Sequence, residues 1–130
     1  MKRVKLRRNS LLTPAKLKKK TWEQVSFYVR HKEKGICFTC GLRNNPKDTH
    51  CGHFIHGRLD YNEMNLHCQC PRCNIFLNGN LVEYTMRMIE KYGKDKVDEL
   101  RMEARKIHPF NRVEVQAIYE KYKKLNTKYL

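Results

Sequence analysis

Cys37-Phe38-Thr39-Cys40-Gly41 opens a stretch that closes on Cys70-Pro71-Arg72-Cys73-Asn74, with 29 residues between the two cysteine pairs. Two residues between cysteines let both thiolates reach one metal ion from a tight turn, and Gly41 lets the backbone approach without a side-chain clash. Two such pairs converging make a closed tetrahedral site. Cys37, Cys40, Cys70 and Cys73 are therefore read as ligands of a structural Zn2+ with no open position for catalysis. Apolar residues make up 40% of the 130 residues, a small store for a core. Zinc of this kind supplies on the order of 10 kcal/mol of folding free energy. Free, buried thiols are the alternative, and the paired spacing argues against it. Cys51 and Cys68 are left over and are read as packing residues or spectators.

Between the pairs runs Cys51-Gly52-His53-Phe54-Ile55-His56-Gly57-Arg58, then Asn65-Leu66-His67, and Asn74 follows the second pair at once. His53, Asn65 and Asn74, spaced by 12 and 9 residues and threaded through four cysteines, match the ββα-metal or HNH nuclease arrangement, with Asn74 where that motif ends in His. The fold class expected is α+β: a ββα-metal, treble-clef-type zinc core with flanking α-helices. Phe54 and Ile55 lie in the first expected strand and Leu66 in the second. A helix starting at the second knuckle carries Asn74, so that His53 and Asn74 face one phosphate.

Hydrolysis of a phosphodiester needs a base for water and a divalent cation on the phosphate. A neutral imidazole suits the first task, so His53 is the expected base. Hard cations prefer oxygen, so the Asn74 carbonyl is a sensible ligand for catalytic Mg2+ or Mn2+, with His50 and His67 as further candidates. Asn65 is expected to hold the loop through its side-chain amide. The bland reading makes His50, His53 and His67 structural residues or extra metal ligands.

Twenty-eight basic residues face 13 acids, a formal charge of +15. Residues 1–20 hold nine of the bases and no acid, so residues 1–12 read as a flexible basic arm. Such a field draws polyanions, and DNA is the expected partner, met by Lys16, Lys18, Lys19, Lys20, Arg58 and Arg72. The basic run lacks the apolar face of a membrane anchor, no apolar stretch is long enough to span a bilayer, and no apolar segment follows the basic start as in a signal peptide. A cytoplasmic protein is expected.

Residues 13–130 read as one zinc-centred domain: an N-terminal helix over 13–35, the metal core over 36–78 and a helical part over 79–130. Thr13-Pro14 begins the first helix, Trp22, Val25 and Val29 recur along it, and Gly35 ends it. Helix resumes from Pro71, with Leu81, Tyr84, Met88, Ile89 and Tyr92 on one face up to Gly93. Val97, Leu100, Ala104 and Ile107 continue until His108-Pro109 breaks the run. Asn111 caps a last helix, with Glu114 three residues later and Val115, Ile118, Tyr122 and Leu125 as its stripe.

Residues from about 37 to 107 resemble the NinG (Rap) recombination proteins of lambdoid phages. The resemblance rests on Cys37 to Gly41, Gly52-His53-Phe54, Asn65-Leu66-His67, Gln69-Cys70-Pro71-Arg72-Cys73-Asn74, Gly79-Asn80-Leu81-Val82 with Tyr84, and Tyr92-Gly93 with Val97 to Leu100. It implies a structure-selective endonuclease acting on Holliday junctions and D-loops, working with phage or host recombination proteins; symmetric cutting of a junction would favour a homodimer. Another phage resolvase of the ββα-metal kind looks similar over Cys70 to Asn74, where the Asn binds the catalytic cation. Such resolvases place an Asp before the catalytic His, where this chain has Gly52; the carboxylate must come from elsewhere or be replaced by His50, Asp48 or His67. The family's N-terminal cysteine-containing segment is matched here only by the basic arm. Two other functions are open: a non-catalytic zinc module that binds nucleic acid, and a site-specific HNH endonuclease.

Overall fold

The structure is a computed structural model that describes residues 12–57, 59–106 and 109–130. The basic arm up to residue 11, Arg58, and the Ile107-His108 end of the third helical run lie outside the described residues.

Helix α1 spans Pro14–Lys32. Thr13 caps it by accepting the Lys16 N–H at 3.3 Å, and Pro14 fills the first helical position, where a missing N–H costs nothing. Leu17, Thr21, Val25 and Val29, each four residues apart, form its buried stripe. Trp22, expected in that stripe, stands at its edge and is partly buried. Lys34 and Gly35, at φ 58° and 71°, turn the chain away. A Cβ on Gly35 would lie 1.9 Å from the Asn44 carbonyl oxygen, so only glycine passes here.

Strands β1 (His50–His53) and β2 (Leu66–Gln69) form an antiparallel hairpin, pairing His50 with Gln69, Cys51 with Cys68, Gly52 with His67 and His53 with Leu66. The first strand therefore ends before Phe54 and Ile55, where the sequence pattern had placed it. The cause is Asn65: its side-chain amide takes both backbone groups of Ile55 and turns the chain out of the ladder.

The helix expected from Pro71 is broken in two. Arg72–Phe76 makes a single π-type turn, and Asn78, Gly79 and Asn80 all take positive φ (48°, 87° and 50°) before α2 begins at Leu81. Three left-handed residues in a row cannot continue a right-handed helix. Helix α2 runs Leu81–Tyr92, α3 Lys94–Ala104 and α4 Arg112–Leu125. Asn111 caps α4 as its sequence implies, accepting the Glu114 N–H at 2.9 Å.

The hairpin lies between two small cores. One face, with Cys51 and Leu66, packs on Val25 and Val29 of α1 and Tyr122 of α4. Phe54 and Leu59, from the loop after β1, join Tyr84 and Met88 of α2 and Val97 and Leu100 of α3 in the other. Leu81 and Ile89, expected on the buried face of α2, are exposed. Cys51 and Cys68 are buried thiols, and Cys51 packs in the α1–α4 core, in keeping with a packing role. Among the described residues no helix is long and apolar enough to cross a membrane.

Candidate functional site

The sulfurs of Cys37, Cys40, Cys70 and Cys73 all lie within 4.8 Å of one another, and those of Cys40 and Cys70 are 3.8 Å apart. A tetrahedron with Zn–S bonds of about 2.3 Å has edges of roughly 3.8 Å, so the four cysteines are close enough to bind a metal such as zinc. Each knuckle is a tight turn: Gly41 donates its N–H to the Cys37 carbonyl, Asn74 to that of Cys70. The cage is tied to the hairpin by the Phe38 N–H on the Cys68 carbonyl at 2.7 Å. Side chains around it favour thiolate: the Thr39 hydroxyl is 3.3 Å from the Cys37 sulfur and the Asn80 amide donates to Cys73 at 3.6 Å. Burial raises the Cys37 thiol, but hydrogen bonds from the Thr39 side chain and the backbone N–H groups of Cys70, Cys40 and Thr39 bring it down to about 6. Local desolvation of the sulfur inside the cluster, with the neighbouring Cys37 and Cys70 sulfurs, pushes the Cys40 thiol up to about 12 although the residue as a whole is exposed. Four sulfurs so close hold together as thiolates only around a cation.

His67, a candidate ligand for a second cation, is packed between α1, β2 and α2. Its ring is buried and stacked on Phe38 at 3.8 Å, its Nδ1 meets the Glu33 carboxylate at 2.8 Å, and its Nε2 meets the Tyr92 hydroxyl at 3.0 Å. Both nitrogens are committed, and the residue locks α1 to β2 and α2. Glu33, which also accepts the Cys68 N–H at 2.9 Å, was not anticipated. A signal existed: a carboxylate at the C-terminal end of a helix, between Lys32 and Lys34, opposes the helix dipole and needs a partner to justify it.

Asn65 takes the loop-holding role read from its place in the pattern. Fully buried, it accepts the Ile55 N–H at 2.8 Å and donates to the carbonyls of Ile55 at 2.8 Å and Leu59 at 3.4 Å.

His53 and Asn74 part company. Side chains alternate along a strand, so Cys51 and His53 point to the α1 side of the hairpin while His50 points to the other. The His53 ring stacks on Trp22, with centroids 4.7 Å apart and planes at 15°. Its Nε2 lies 3.5 Å from Asp60 Oδ1 without a hydrogen bond, and the His56 ring is 5.3 Å away. Burial, only partly offset by Asp60, holds this imidazole neutral below its ordinary value of 6.5. Lys18 and Lys19, both exposed, stand one helical turn before Trp22 and so flank the same face; Lys16, Lys20 and Arg72 are exposed as well. Asn74, on the π-type turn, reaches His50 instead, with 3.0 Å between its amide and Nδ1. The expected single cleft shared by His53 and Asn74 is replaced by two sites on opposite faces of one hairpin. Asp48, considered as a replacement carboxylate, is exposed in the turn Pro46–Asp48.

A family model described as "Bacteriophage Lambda NinG protein" matches residues 1–130. The chain is 29% identical over 103 residues to "Protein ninG" of Escherichia phage lambda, covering 75% of this chain and 50% of that protein. It is 28% identical over 125 residues to the proteins of the same name from Escherichia phage 933W and Salmonella phage P22, covering 92% of this chain and 61% of each. The chain thus spans about half to three fifths of the length of these curated relatives. No solved structure matches it.

Proposed function

The chain belongs to the NinG family of phage proteins, and from that premise we propose that it is a metal-dependent, structure-selective DNA endonuclease of the ββα-metal type, acting on branched recombination intermediates. The observation that carries this reading is the 3.0 Å approach of Asn74 to His50. Two adjacent ligands of an octahedral Mg2+ at about 2.1 Å stand roughly 3.0 Å apart, so an amide turned to present its oxygen and a neutral imidazole fit one such ion. When bound, the cation polarises the phosphate and stabilises the departing 3′ oxygen. Asn65 keeps the loop after β1 rigid. His53, neutral on the other face of the hairpin, would serve as base only for a strand that wraps from one face to the other, and the pH dependence of cleavage decides whether it does. Phage or host recombination proteins, and a second copy of the chain for symmetric cutting, are the partners that this activity would need.

The separation of His53 from Asn74 favours a second reading, a zinc module that binds branched DNA without cutting it. A labelled four-way junction incubated with the zinc-loaded chain and graded Mg2+ decides between them: Mg2+-dependent strand cleavage is expected, and none at any Mg2+ concentration leaves the binding module. Asn74→Ala is expected to lower cleavage at least a hundredfold with junction binding retained. Cutting of linear duplex at one defined sequence in preference to junctions would instead indicate a site-specific nuclease.

With His53 as base, cleavage rises with pH with a midpoint below 6.5, because burial depresses its proton affinity. The same shift acts on stability. A group with a depressed folded-state pKa contributes fully above 6.5, and that contribution is lost as pH falls toward the folded value, where the unfolded chain takes up the proton first. Cleavage rates and urea midpoints from pH 5 to 8 check both; a flat rate profile, with chemistry limiting, removes His53 from the mechanism.

Lys18 and Lys19 give a separate expectation. Replacing both by Ala should weaken junction and linear-duplex binding alike and reduce the slope of log affinity against log salt by about two. An unchanged slope, measured by fluorescence anisotropy, would take this face of α1 off the DNA.

A further inference from the structure

Ile75, Phe76 and Leu77 are three consecutive apolar residues, and all three face solvent; Phe76 is 79% exposed. A run of that kind is a liability in a soluble chain unless it has a use. Among the described residues the other four phenylalanines each lie against a ring, of His31, His67, Tyr84 or Tyr61, and Phe76 lies against none. The backbone beneath it is well tied. Cys70 and Cys73 of the metal cage begin the turn, the Leu77 N–H returns to the Arg72 carbonyl at 2.9 Å, and the Gly79 N–H reaches the carbonyls of Cys73 and Asn74 at 2.9 and 3.1 Å. A partner therefore meets the ring on a backbone already ordered, which spares it the cost of fixing a loop.

Two features of the surroundings select nucleic acid as that partner. Arg72 opens the turn and is exposed, and no Asp or Glu occurs between Glu63 and Glu83, so a polyanion meets no like charge from this stretch. Asn74 stands two residues before Phe76 on the same turn, which keeps their Cα atoms within about 7 Å, roughly two steps of a base stack. A strand with a phosphate at Asn74 thus carries its bases past the ring. An aromatic ring stacks on any base, whatever the sequence. In continuous duplex every base face is covered by its neighbours, and a ring must first part them; at a branch point the stack is already interrupted.

We propose that Phe76, with Ile75 and Leu77 beside it, is a wedge that stacks on the open base faces of a DNA branch point and so makes the chain prefer branched to linear DNA. The proposal rests on the nuclease reading for the phosphate at Asn74; stacking itself requires no cutting. Phe76 is then a specificity-determining residue that acts on the bases and leaves the reacting phosphate to others.

The test is binding of the zinc-loaded chain, without Mg2+, to a four-way junction carrying 2-aminopurine at the branch point and to a linear duplex of the same sequence. Because the side chain is exposed, Phe76→Ala should keep the zinc content and circular dichroism of the parent. It is expected to lose at least about fivefold in junction affinity with duplex affinity unchanged, and to lose the 2-aminopurine response that the parent gives. Phe76→Trp should keep both. Junction and duplex affinities that fall together, a junction affinity within about twofold of the parent's, or a parent with no preference for the junction overturns the wedge. So does a parent that sediments as a dimer without DNA when Phe76→Ala sediments as a monomer, since the ring then covers a second copy of the chain. Loss of junction preference in Phe76→Ala, with no cleavage by the parent at any Mg2+ concentration, removes the nuclease reading and leaves the wedge. Mg2+-dependent cleavage by Phe76→Ala with the parent's preference for junctions does the reverse.

Discussion

Removing the metal unfolds the chain: with the four cysteines stripped by a chelator at neutral pH, helical circular dichroism is lost, and it returns when Zn2+ is added back. The expectation follows from what the cage joins. Its first knuckle continues from the end of α1, its second runs from β2 into the π-type turn, and Phe38 and Asn80 tie it to the hairpin and to the start of α2. Each of the two cores beside it rests on only a handful of fully buried apolar side chains. A structural zinc contributes on the order of 10 kcal/mol, as much as the whole net stability of an ordinary domain, about 5–15 kcal/mol. Without a cation the four sulfurs, all within 4.8 Å of one another, cannot stay ionised together and take up protons, so the cage loses the charge that held it closed. Cys73→Ser, at a fully buried position, should behave like the stripped protein, and Cys40→Ser, at an exposed one, should lose less. A metal-free chain with unchanged spectrum and urea midpoint would show that the cores suffice and that the cysteines are not a folding device.

The cage was legible because it is written in short spacings, and the same holds for the Asn111 cap and the Thr13-Pro14 start. Asn65 was legible for a related reason, since its partners Ile55 and Leu59 lie in the loop that it closes. What failed was the relation between His53 and Asn74. Which way a strand residue points depends on where pairing begins and ends, and moving that register by one residue reverses every side chain. The apolar Phe54-Ile55 drew the first strand too far along, when the ladder in fact stops at His53. Glu33 and Gln69 were missed because their partners lie far away in sequence: Glu33 meets His67 and Cys68, 34 and 35 residues on, and Gln69 meets Thr39, 30 residues back. Local pattern carries no information about such contacts.

Asn65→Ala is the substitution outside the cage with the largest expected cost to stability. The side chain makes three hydrogen bonds, all to backbone, and none of its surface reaches solvent. Alanine leaves the Ile55 N–H and carbonyl without their partner and opens a small void beneath the loop, which together cost about 2–5 kcal/mol. The loss spreads because the loop delivers Phe54 and Leu59 to the α2–α3 core and carries Asp60 to His53. Asn65→Asp should be no better: one oxygen still accepts from Ile55, but the other sets a buried negative charge against the carbonyls of Ile55 and Leu59. Asn62→Ala is the comparison. Its side chain accepts only the Met64 N–H, at 3.0 Å, so about 1 kcal/mol is at stake. Urea melts of the three variants at saturating zinc give the order. If Asn65→Ala loses no more than Asn62→Ala, the buried amide is not what holds the loop.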